Sequence, residues 1–169
     1  MSNTKNDTRV SVKIAVGALL LLMTLVSVPM AYATPARIIT GKFTVTSFMV
    51  TSTQFVGGNT IISWNATAVS VGDISGDYVT TGLRITHADG SAVQTEYSSF
   101  TGSVFHRTGT FVGGGTNTFG SDGLCKPNGL CKSTFISGTG GLRGIHGVTL
   151  YQFPFGNNTA IYSGHVRFG

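Results

Sequence analysis

From residue 34 onward, apolar and polar residues alternate with a period of two, and no segment shows the three-to-four spacing of an amphipathic helix. In Thr60–Val71, Ile62, Trp64, Ala66 and Ala68 share one face, while Ser63, Asn65 and Thr67 share the other. In Tyr78–His87, Val79, Leu83, Ile85 and His87 lie opposite Tyr78, Thr80, Arg84 and Thr86. Gly41–Val50, Ala92–Phe100, Ser103–Val112, Lys132–Ser137, Ile145–Phe153 and Thr159–Phe168 read as further strands, rich in β-branched and aromatic residues. Between them stand Gly57-Gly58-Asn59, Asp89-Gly90, Gly113-Gly114-Gly115, Asn128-Gly129, Gly138–Gly144 and Gly156-Asn157-Asn158, all tolerant of the positive φ that tight hairpins need. About eight strands without helices predict an all-β domain, a single antiparallel closed β-barrel, because closure removes exposed sheet edges. A two-sheet β-sandwich is the alternative. Glycines inside strands, such as Gly109, Gly147 and Gly164, weigh toward the barrel, where a curved sheet bends sharply.

The first 33 residues follow another pattern. Lys5, Arg9 and Lys13 precede an uncharged run, Ile14–Val28, then Pro29 and the small-residue site Ala31-Tyr32-Ala33. This order predicts a signal peptide over residues 1–33, cleaved after Ala33, leaving residues 34–169 as the barrel domain. An uncleaved anchor over residues 14–33 is the alternative, and would be the chain's only tie to a membrane. The positive flank places the remainder outside the cytoplasm in both cases, so the chain reads as secreted or extracytoplasmic.

Composition sharpens the picture in two ways. Charged residues make up only 10% of the chain, and glycine contributes 24 of 169 residues. Without the leader, eight bases and five acids remain, a net charge of about +3. Those bases are scattered and form no phosphate-tracking run, which excludes nucleic acid as a partner. Cys125 and Cys131 flank Lys126-Pro127-Asn128-Gly129-Leu130, a turn-forming stretch. In an exported chain they read as a disulfide, contributing about 2 kcal/mol in the chain-entropy account. They lack the C-x-x-C spacing of redox pairs and have no nearby zinc ligands.

Candidate chemistry is sparse. Gly138-Thr139-Gly140-Gly141-Leu142-Arg143-Gly144 lacks the dinucleotide register and leads into a strand, so no cofactor is expected. His87, His106, His146 and His165 fall on separate strands without metal spacing, so no metal is expected either. Glu96, the sole glutamate, shares a face with Gln94 and Ser98 opposite Val93 and Tyr97, and reads as solvent-exposed. Were catalysis present, Glu96 and His87 are the candidates for proton transfer. For a ligand held within the barrel, Trp64, Leu83, Ile85 and Tyr97 are the wall candidates. Asn65-Ala66-Thr67 and Asn157-Asn158-Thr159 are glycosylation sequons, at Asn65 and Asn157.

Several segments together carry a family resemblance. Gly41-Lys42-Phe43-Thr44-Val45-Thr46-Ser47-Phe48 is followed in order by Gly72-Asp73-Ile74-Ser75-Gly76, Phe100-Thr101-Gly102 and Gly109-Thr110-Phe111-Val112. Last comes Gly138-Thr139-Gly140-Gly141-Leu142-Arg143-Gly144-Ile145-His146-Gly147, a G-T-G-x-L-x-G-x-x-G turn. Over most of residues 39–168 the chain resembles small uncharacterised proteins related to allene oxide cyclase and dirigent barrels. The resemblance implies an eight-stranded antiparallel barrel with a partly apolar interior, where relatives of known activity steer reactive small molecules by shape. None of their functional residues is carried across to a position here, and the cysteine loop at 123–132 looks like an insertion. Three functions follow as expectations: a barrel holding a small apolar molecule, an isomerase or cyclase, or a structural or adhesive surface protein.

Overall fold

The computed structural model describes residues 34–153 and 157–169, so the leader lies outside the described residues. Nine strands form one antiparallel sheet: β1 (Arg37–Val56), β2 (Asn59–Gly72), β3 (Ile74–Thr86), β4 (Ala92–Val104), β5 (Arg107–Phe119), β6 (Cys125–Lys126), β7 (Cys131–Gly140), β8 (Ile145–Gln152) and β9 (Thr159–Phe168). Each long strand pairs with its sequence neighbour, β4 pairs with β5, and β9 returns to β1. The ring is therefore a closed up-and-down barrel of eight long strands, as the alternation predicts; β6 is a two-residue ladder on β5.

The strand limits differ from expectation in two informative places. Ser103–Val112 is broken by a two-residue turn, where Phe105 and His106 take φ of 48° and 67°. Positive φ at both positions suits the twist of a tight hairpin, although neither residue type advertises it. The Arg37 guanidinium packs 3.6 Å from the centre of the Phe105 ring and helps hold it there. Conversely, Gly113-Gly114-Gly115 is no turn but the middle of β5. A Cβ on these residues would run into the carbonyls of Thr134, Glu96 and Lys132 on the flanking strands, so glycine here permits close strand approach.

The barrel has two unlike halves. Turns at Asp73, Phe105-His106 and residues 141–144 close one end, where Ile39, Ile74, Phe100, Val104, Leu142 and Ile145 are almost wholly buried. Phe100 stacks on Phe111 with ring centres 4.5 Å apart, and Phe111 contacts Phe135 at 4.7 Å. The Tyr162 hydroxyl accepts from the Ile74 amide at 3.1 Å, while Ser70 donates to the Ile74 carbonyl at 3.0 Å. Polar groups in this packed end are thereby satisfied. The other end carries the β1–β2 and β3–β4 connections and the disulfide loop.

Candidate functional site: the open half of the barrel

Toward that second end the inward positions pass to small or polar residues: Ala66, Thr80, Gly82, Ser98, Gly113, Ser133 and Thr149. Side chains of this size cannot fill an eight-stranded interior. A cavity of about 290 Å³ remains, open at the rim. Its floor is aromatic, formed by Tyr78, Phe111 and Phe135 over the packed end. Its walls carry Phe43, Val45, Phe48, Trp64, Phe119, Tyr151 and Phe153. Two register shifts in β1, between Val45 and Ser47 and between Val50 and Ser52, re-phase that strand. The first of them lets both Val45 and Phe48 line the cavity despite their odd spacing. Trp64 lies flat against Gly82, where any Cβ would strike the indole. Its ring also packs on Phe48 at 5.4 Å.

Set into these walls are two charged groups. Glu96 faces inward on β4, and its Oε1 accepts a hydrogen bond from the Tyr151 hydroxyl at 2.8 Å, reaching across the barrel. The Gln94 amide donates to Oε2 at 3.3 Å. Burial pushes the Glu96 carboxyl above its usual range, with Tyr151 and Gln94 opposing the shift. Burial, and then the neighbouring Glu96, raise the Tyr151 phenol. Such a pair can accept a hydrogen bond from a bound molecule or hold a proton beside it. Arg84 stands one inward position nearer the rim on β3, with its guanidinium 4.5 Å from the centre of the Phe119 ring. Burial also lowers its proton affinity.

The residues expected from sequence divide sharply. Trp64 lines the cavity. Leu83 and Tyr97 do not: they are 41% and 53% exposed on the outer surface, and Ile85 shares their outward face. Tyr78 explains the inversion. It packs on Phe100 at 4.9 Å in the floor, which turns Tyr78, Thr80 and Arg84 inward and Val79, Leu83 and Ile85 outward. The same phase brings Glu96 inside, correcting its expected exposure and leaving Val93 and Tyr97 on the outer face. His87 ends outside the cavity, exposed at the β3–β4 turn and hydrogen-bonded through Nδ1 to Asn59 at 3.1 Å. Glu96 and His87 are therefore not brought together as an acid–base pair. Asn65 and Asn157 are both exposed. Cys125 and Cys131 are bonded, with Cα atoms 5.2 Å apart, and Cys131 contributes to the cavity wall. Arg84, Tyr151 and Phe119 carry no sequence signal of a site, because each sits on a face whose polarity suggests solvent or in a pattern without a motif.

No family model and no curated protein matches the chain. Among solved structures, it is similar to a protein of unknown function from the DUF3224 family of Shewanella oneidensis MR-1. The match has a TM-score of 0.68 at 21% identity and covers 80% of this chain and 99% of that one. That likeness supports the fold. The site must be argued from its own residues.

Proposed function

We propose that this protein holds a small, mostly apolar molecule in the open half of its barrel, outside the cytoplasm. The carrying observation is the unfilled, aromatic-walled cavity of about 290 Å³, which falls near the lower end of the usual range for small-molecule sites. A barrel serving only as a scaffold has no need of an interior built from alanine, glycine, serine and threonine above a tightly packed floor. The expected export segment and the Cys125–Cys131 disulfide support an oxidising compartment. The test is organic extraction and mass spectrometry of protein purified from its own host. A stoichiometric apolar compound is expected, and a crystal structure with the interior filled by side chains would eliminate the reading.

A second reading is favoured by one observation. The Glu96–Tyr151 pair places a carboxylate of raised proton affinity beside apolar walls, an arrangement suited to an isomerase or cyclase. That reading also agrees with the resemblance to allene oxide cyclase barrels. It predicts that the extracted compound is converted to a product of equal mass by wild-type protein and not by Glu96→Gln. Equal conversion by both would remove it.

A further inference from the structure

We propose that the molecule held in the open half carries one carboxylate at its outer end, gripped by Arg84, with its apolar remainder directed inward to the aromatic floor. The proposal rests on the reading that this cavity binds a ligand, and adds the ligand's chemical class and orientation.

The levels of the wall set the orientation. Tyr78 pairs with Phe100 in the floor, Thr80 with Ser98 above it, Gly82 with Glu96 next, and Arg84 with Gln94 nearest the rim. The cation therefore stands outermost, and the lining below the Glu96 level carries no charge among the described residues. The two charges also differ in partnership. Both Glu96 oxygens are already engaged, by Tyr151 and Gln94. Among the described residues Arg84 has only the Phe119 ring face, and the one ion pair is Lys126–Asp122 in the disulfide loop. No described side chain or carbonyl accepts from its guanidinium. A planar fork of donors facing a cavity without an acceptor is matched by a carboxylate, which takes two parallel hydrogen bonds.

One guanidinium offers a single positive charge and one planar fork of donors, which a single carboxylate fills; a second negative charge on the ligand would find no further cation on the cavity wall among the described residues. The volume is sufficient for at least about ten non-hydrogen atoms, taking roughly 30 Å³ for each. The class is thus an apolar monocarboxylic acid of medium length.

Trp64 supplies the readout, because it lines the cavity and is the chain's 1 tryptophan. Its emission is followed during titration with decanoate and, separately, with decanol, which has the same chain and no charge. Wild-type protein is expected to bind decanoate about ten- to hundredfold more tightly than decanol, the range for a charge-assisted contact. Arg84→Gln is expected to lose that preference, with a near-UV circular dichroism spectrum like that of wild type showing that the variant is folded. Decanol bound as tightly as decanoate, or Arg84→Gln binding decanoate as wild type does, overturns the carboxylate and leaves the cavity reading standing. Failure of both probes to bind wild-type protein removes the two together.

Discussion

The closed and open halves of this barrel are built from the same strands with the same alternation, yet one is solid and the other hollow. On β4, Phe100 and Val104 are fully buried, while Gln94, Glu96 and Ser98 on the same face line a cavity. On β5 the change is from Phe111 to Gly113 and Gly115. Binary pattern decides which face turns inward; side-chain size then decides whether the interior closes. The floor marks the boundary, where the Tyr78, Phe100, Phe111 and Phe135 rings touch.

The sharpest break of that contrast is Phe100→Ala. It removes a wholly buried ring from the stacked floor and should cost about 3–5 kcal/mol in urea unfolding. A loss under about 1 kcal/mol would mean the closed end is loosely packed. Next in size is the Cys125→Ser/Cys131→Ser pair at the open end. Removing a bridge of sequence separation 6 should lower stability by about 2 kcal/mol, read by the same method, and leave the closed end intact.

Glu96→Gln tests the open half through pH. Burial raises the folded carboxyl above its unfolded value, so the folded state binds that proton more tightly than the unfolded chain. Its contribution is fully present below the ordinary carboxylate range and is lost as pH rises through the raised folded value. The variant lacks this loss. Melting temperatures across a pH series should therefore diverge in its favour as pH climbs above that range; parallel curves would contradict the buried placement. The smallest effect belongs to Phe55→Ser at the tip of the β1–β2 hairpin. Phe55 is 80% exposed, so stability should move by no more than about 0.5 kcal/mol.

How much of this was legible follows the same division. The number of strands, their antiparallel order and the Cys125–Cys131 bridge are readable because turn glycines, alternation and cysteine spacing are local signals. The hairpin at Phe105-His106 is not, since its backbone is imposed by pairing of β4 with β5 and by Arg37 over Phe105. The apolar pattern of β3 predicts the opposite phase from the one observed. Val79, Leu83 and Ile85 look like the core face, but a hollow interior favours the side bearing Tyr78, Thr80, Gly82 and Arg84. The same logic sends Glu96 to solvent, whereas it faces the cavity. Its partner Tyr151 lies 55 residues away in sequence, so only closure of the ring reveals the pair.

Ala66 gives the most direct test of the central claim that the open half is a small-molecule site. It lines the cavity beside Trp64 on β2, and replacement by phenylalanine would occupy the space without touching the packed floor. Decanol titration followed by Trp64 emission should show saturable binding to wild-type protein and none to a folded Ala66→Phe variant. Saturable binding that survives in Ala66→Phe, or no binding to either protein, would contradict the account.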